Sequence, residues 1–275
     1  MHETMSDKAK IGMTWYVAAF VYAAGEPGDN PVGIEKVMQE TISALGAMPR
    51  NILRTSTGGK AGRFQRFTLD NCATLIRDPQ SVSLTMLSLQ KSAAFVNLRL
   101  FLRHNPAVLM KFRSPKALYV VMECGGPMLA PTVAQYVAQS FLRTCAAELS
   151  VLHGGVAAFP NRNQALSEAA LTGIDLSNEP ESFERRWDYD ARNSRSLWQK
   201  ARRVFWLNLL GPDLAQKVGG PAAANAAGAM GVEEVQGSLI FAATSNIEDS
   251  LDPHFSDKTS KLTEWLWPYL LQNPY

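Results

Sequence analysis

One order of elements occurs twice in this chain and limits what it can fold into: a β-rich apolar run, a Gly/Pro break, an amphipathic helix, then more apolar sequence. In the first instance residues 11–22 read as a strand and residues 25–33 as a loop, followed by a helix over 34–45 whose stripe is Ile34, Val37, Met38, Ile42 and Leu45. Pro49 ends that unit. In the second, residues 117–124 form the strand and Gly125-Gly126-Pro127 breaks it. Residues 131–149 then give a helix with Val133, Tyr136, Val137, Phe141, Leu142 and Cys145 in its apolar positions, and residues 150–159 give a second strand.

Between the two units, Val82, Leu84 and Met86 alternate with polar residues, as do Leu98, Leu100 and Leu102. That period of two predicts an antiparallel pair of half-buried strands joined through residues 90–94. Beyond Pro160 the pattern predicts a strand over 203–210, helices over 212–218 and 221–230, a strand over 238–243 and a last helix over 259–271. The expected class is α+β: a mixed, largely antiparallel sheet with helices packed on its faces, built around two strand-helix-strand repeats. Residues 11–275 read as a single domain behind a disordered 1–10 stretch, with a candidate subdomain boundary near 160.

A chain of 275 residues buries about 70–75% of the surface its unfolded form exposes, so a full core needs no disulfide framework. Cys72, Cys124 and Cys145 are odd in number and have no metal-ligand spacing. The longest apolar run, residues 11–24, contains Thr14, Trp15 and Tyr16 and falls short of the roughly 20 apolar residues of a bilayer span. Ala23-Ala24-Gly25 resembles a cleavage site, but Glu3 and Asp7 cancel Lys8 and Lys10 where a signal peptide carries positive charge. The expectation is a cytoplasmic protein that does not enter a membrane.

Charge is unevenly spread. Residues 1–160 hold 16 Lys/Arg against 10 Asp/Glu, and residues 161–275 hold 11 against 15. The basic extreme is residues 50–116, with 12 positive residues against Asp70 and Asp78; the acidic extremes are 164–190 and 231–275, each with seven acids and two bases. Runs of this kind are either solvated faces or the footprint of a charged partner.

Catalytic patterns are sparse. His2, His104, His153 and His254 show no metal spacing, and no Gly-x-Ser-x-Gly elbow is present. Gly58-Gly59-Lys60-Ala61-Gly62 lacks the spacing of a phosphate loop and reads as a turn. His153, beside Gly154-Gly155, and the Asp188/Asp190 pair are the residues around which an enzyme pocket could be assembled, and Asp188-Tyr189-Asp190 could hold Mg²⁺ only with further carboxylates. The basic stretch, interleaved with Phe64, Phe67 and Phe101, offers a nucleic-acid reading. Against it, Arg99 and Arg103 alternate with apolar residues as on a half-wet strand. The pI of 8.4 also falls below that of a dedicated binding domain. No cofactor or metal site is expected.

Residues 206–214, Trp-Leu-Asn-Leu-Leu-Gly-Pro-Asp-Leu, followed by Gly219-Gly220, resemble the hallmark of a bacterial family. It was long catalogued as a domain of unknown function and is now known as the type VI secretion immunity family for VRR-Nuc toxins. Residues 117–159, ending in Leu-Ser-Val-Leu-His-Gly-Gly-Val-Ala-Ala-Phe, and residues 231–271, with Trp-Leu-Trp-Pro-Tyr-Leu, are similar to the family's central and closing segments. The likeness spans roughly 11–271, and the 206–220 string is its distinctive part. Residues 164–195 and 221–230 depart from the pattern.

The resemblance implies a non-enzymatic immunity protein that binds a cognate antibacterial effector, a DNA-cleaving nuclease of the restriction-endonuclease-like type, and occludes its active site or substrate groove. A nuclease presents a basic groove, so an acidic surface on its inhibitor raises the association rate. The acids of 164–190 are Glu168, Asp175, Glu179, Glu181, Glu184, Asp188 and Asp190, interleaved with Phe183, Trp187 and Tyr189. Aromatic anchors within a charged rim are the composition of an interface centre. The expected toxin-binding residues are therefore Glu179, Glu181, Glu184, Trp187, Asp188, Tyr189 and Asp190. Glu248, Asp249 and Asp252 fit a loop and helix-capping role better.

Overall fold

Strand β1, Trp15–Ala23, is buried at every position except Tyr16. A strand reads as a continuous apolar run when both of its faces are covered, and β1 lies mid-sheet between β6 (Lys116–Cys124) and β7 (Val151–Phe159). The computed structural model describes residues 14–57, 62–89, 95–103, 116–125, 129–170 and 199–271. The remaining strands are β2 (Pro49–Ser56), β3 (Gln65–Arg66), β4 (Ser81–Leu89), β5 (Val96–Phe101), β8 (Leu207–Leu210), β9 (Met230–Val235) and β10 (Ser238–Ala242). All ten form one sheet in the order β3-β2-β4-β5-β6-β1-β7-β8-β10-β9.

Both strand-helix-strand units are present. Helix α1 (Pro31–Leu45) joins β1 to β2, and α3 (Pro131–Glu148) joins β6 to β7. Each crossover links strands that run the same way, yet β1 lies between β6 and β7, and β6, β5 and β4 lie between β1 and β2. Because an odd number of strands fills each gap, every ladder among the described residues is antiparallel. The sheet is thus less mixed than its crossover helices suggest. The α+β class stands, as does the hairpin of β4 with β5, which pairs Leu84 with Leu100 and Met86 with Leu98.

Helix α1 starts where Asn30 accepts a bond from the Gly33 amide at 3.0 Å, with Pro31 in the first turn, and ends at Gly46 in the left-handed region. The Asn30 amide group also donates to the Glu148 carbonyl at 2.8 Å, tying the start of α1 to the end of α3. Both helices, with α2 (Leu69–Arg77), cover one face of the sheet: Ile34, Val37, Met38, Ile76, Val137, Phe141 and Leu142 pack on Val17, Val21, Leu98, Val120 and Val156. The other face is covered in two patches. Over β1, β6 and β7 lie Ala165 and Ala169 of α4 (Arg162–Ala170) together with Phe205. Over β8 and β10 lie α5 (Pro212–Lys217), α6 (Gly220–Ala226) and α8 (Ser260–Leu266), supplying Leu214, Ala224, Leu262 and Leu266. The short α7 (Phe255–Lys258) precedes α8.

Candidate interaction surface

The distinctive string lies at the seam where β8 docks on β7. In register, Asn208 faces Gly155, Leu209 faces Gly154 and Leu210 faces His153. The Phe205 ring lies directly over Gly155, where a Cβ would collide with it, and meets Phe20 edge-on at 5.0 Å. The Gly211 amide donates to the Leu152 carbonyl at 2.8 Å, and a Cβ on Gly211 would fall inside the Val151 and Leu152 carbonyls.

Asn208, 3% exposed, closes a ring on one residue: its Oδ1 accepts from the Phe205 amide at 2.8 Å and its Nδ2 donates to the Phe205 carbonyl at 2.9 Å. This local ring replaces ladder bonds at Phe205 and explains why β8 spans Leu207–Leu210 rather than the eight residues expected. Trp206 is buried, and its indole N–H donates to the Thr244 carbonyl at 3.1 Å. The string and the His-Gly-Gly segment are therefore two sides of one packing arrangement. Of the string's nine residues, only Pro212 and Asp213 are exposed.

His153 is 1% exposed, and its ring lies 4.8 Å from that of Tyr22, tilted by 47°. It sits inside the second face of the sheet, opposite Leu210. Among the described residues no three His, Cys, Asp or Glu side chains converge into a metal site. The three cysteines are buried and free. Burial pushes the Cys72 and Cys124 thiols up to about 12, and that of Cys145 upward as well, so none resembles an activated nucleophile.

Glu179, Glu181, Glu184, Trp187, Asp188, Tyr189 and Asp190 lie outside the described residues, but the positions that flank this segment are well defined. Helix α4 precedes it and Ala201 follows it. The Glu168 carboxylate meets Arg202 at 3.2 Å and Arg203 at 3.4 Å, and the Arg202 guanidinium also donates to the Glu168 carbonyl. Arg202 and Arg203 lie over the Phe20 and Phe205 rings at 5.5 and 5.0 Å. Glu168, grouped by sequence with the interface acids, is thus part of a clamp that brings both ends of the segment together above β1 and β7. The pattern of acids gave no sign of this, because its partners lie 34 and 35 residues downstream.

Several cations of the basic stretch are used internally. Arg54 pairs with Asp78 and Arg77 with Glu35, each at 2.8 Å. Arg103 donates to the carbonyls of Gly28, Asp78 and Ser81 at 2.8, 3.0 and 3.2 Å. Arg99 stacks on Phe101 at 4.5 Å. Burial raises the Tyr119 phenol, and Arg99 opposes that rise. Arg63 and Arg66 are exposed at the β2–β3 edge, as is Phe64. At the C-terminal end, Asp249 and Asp252 both contact Lys258, at 3.3 and 2.9 Å, and the Asp252 carboxylate accepts from the His254 amide at 2.8 Å. The Lys258 bond is the main reason the Asp252 carboxyl lies below its ordinary range.

The sequence matches no family model and no curated protein. Among solved structures the fold is similar to that of a Pseudomonas aeruginosa T6SS protein, PA0821, with a TM-score of 0.54 over 94% of this chain and 73% of that one. Identity across the alignment is 14%, so the likeness is one of fold. No helix of the described residues is long and apolar enough to cross a membrane.

Proposed function

We propose that this chain is a cytoplasmic immunity protein that binds and neutralises a cognate type VI secretion effector, a DNA-cleaving nuclease, by covering its active site or substrate groove. The observation that carries the reading is the string of residues 206–220, built into the β7–β8 seam of a fold similar to that of a T6SS protein. Its residues are packing devices rather than reactive groups, as suits a stoichiometric binder. In this reading the acidic segment whose two ends Glu168, Arg202 and Arg203 clamp together supplies the toxin contacts, with Trp187 and Tyr189 as anchors and Glu179, Glu181, Glu184, Asp188 and Asp190 as the charged rim.

The test is a pull-down with this protein as bait from its own bacterium and co-expression with the type VI effector recovered, followed by titration calorimetry. The expected result is a stoichiometric complex with Kd at or below about 1 nM, near −12 kcal/mol, and rescue of growth from the nuclease. Reversing Asp188 and Asp190 to Lys together should weaken the complex by at least tenfold and slow association most at low salt. An effector that neither binds nor is neutralised would overturn the reading. Tight binding indifferent to the two reversals would move the interface away from this segment.

A further inference from the structure

The two edges of the ten-stranded sheet differ. One is β3, two residues long, and behind it the Arg54 carbonyl of β2 is already taken by the Gly62 amide at 2.8 Å. The other is β9, six residues long, paired on one side only, with β10. Gln236 and Gly237, at φ 50° and 76°, make the two-residue turn of a tight hairpin, and Val235 faces Ser238 across it. In such a hairpin the closing pair exchanges both bonds and the next residue points its N–H and C=O the other way. The backbone groups of Glu234 therefore face outward; a one-residue register shift between Ile240 and Ala242 then puts a bulge at Gly231 and Val232. No ladder among the described residues pairs β9 on its outer side, and a Cβ on Gly231 would meet nothing within 4 Å.

The side chains on this edge define the chemistry of what could join it. Glu233 is held by Arg143 at 2.8 Å, whereas Glu234 is exposed and forms no ion pair among the described residues. Met230 is 46% exposed. A second copy paired antiparallel through β9 and centred on Glu234 would set that carboxylate against its own image, and like charges facing each other across strands are destabilising. A strand bearing Lys or Arg has the complementary charge, and a nuclease that grips DNA carries such residues.

We propose that β9 is a β-augmentation site that accepts a basic strand of the neutralised effector as an eleventh strand of the sheet. Main-chain bonds to Val232 and Glu234 give the affinity, and Glu234 selects the charge. This rests on the immunity reading for the partner's identity, but the chemistry of the edge can be tested without the effector. Amide hydrogen exchange is followed on the full chain with an alternating Lys-Val octapeptide and, in parallel, a Glu-Val octapeptide. The Lys-Val peptide should slow exchange of the Val232 and Glu234 amides by about tenfold at saturation, an effect lost in Glu234→Lys and, read at Val232, in Glu234→Pro, which removes the outward N–H together with the carboxylate. No slowing, equal slowing by both peptides, or a dimer of the free chain that already protects these amides each overturns the proposal. With the effector, unchanged Kd in both variants overturns the edge as its docking site while the immunity reading stands. Failure of wild-type protein to bind the effector overturns that reading and the effector as occupant, whatever the peptides show.

Discussion

The β7–β8 seam and the β9 edge lie close together in the same sheet and follow opposite rules. At the seam, Gly211 is so near the Val151 and Leu152 carbonyls that one methyl group cannot be added, and each polar group of the Asn208–Phe205 ring has a partner. At the edge, Gly231 opens on empty space and no ladder among the described residues pairs the outer side of β9. The seam contains the string 206–214 and the His-Gly-Gly segment it packs on. The edge contains none of them. Residues that identify a fold are those the fold tolerates least change in, and a surface free to match a particular partner has to lie elsewhere.

This contrast can be broken most directly at Gly211. Gly211→Ala should cost about 3 kcal/mol or more, since the obstacle is backbone rather than a movable side chain. Scanning calorimetry should find the melting midpoint lower by roughly 6–12 °C, and an unchanged midpoint would show that the seam is looser than described. Asn208→Leu comes next. It strips partners from the buried Phe205 amide and carbonyl, each worth about 1–3 kcal/mol when left unsatisfied, and denaturant melts should show about 2–4 kcal/mol lost.

A pH titration tests how dry the helix-covered face of the sheet is away from the seam, where Cys72 lies on α2 and Cys124 ends β6. Cys72 and Cys124 hold their protons to about 12 in the fold, against an ordinary value of 9.0. A raised folded value means that stability is whole below the unfolded value and drains as pH rises toward the folded one. Stability should therefore fall between about pH 9 and 12, and less so when the cysteines are replaced by Ala or Val. Native thiols should react with a disulfide reagent only as fast as the chain opens. The smallest change in stability is expected at the edge: Glu234→Lys should stay within about 0.5 kcal/mol of wild type while weakening effector binding by about tenfold. A large loss of stability there would erase the distinction between seam and edge.

Much of the local structure was legible. The positions of β1, α1, β4, β5, β6, α3 and β7 follow from apolar period and, for α3, from Pro131; α1 begins at Pro31, three residues before the start its apolar stripe gives, because Asn30 and Pro31 sit in a Gly/Pro cluster that reads as loop. Strand β2 was not legible: only Pro49 and Ile52 of its eight residues are buried, so no alternation marks it, and pairing with β4 makes it a strand. Helix α2 went unread because its nine residues carry a narrow apolar face of Cys72, Leu75 and Ile76. The interface acids were nominated by composition alone, which could not separate Glu168, committed to Arg202 and Arg203, from its neighbours.

By itself, then, the sequence determined which segments are strands and helices wherever burial imposes a period, and where Pro131 and Pro212 start helices. These are local properties, decided within a few residues of each position. Only the tertiary structure decided that β2 lands three strands away from β6 while β7 lands beside β1, that the string and the His-Gly-Gly segment interlock, and that β9 is left as the open edge. The physical reason is that strand order and free edges depend on contacts between distant segments, which apolar period permits but does not specify.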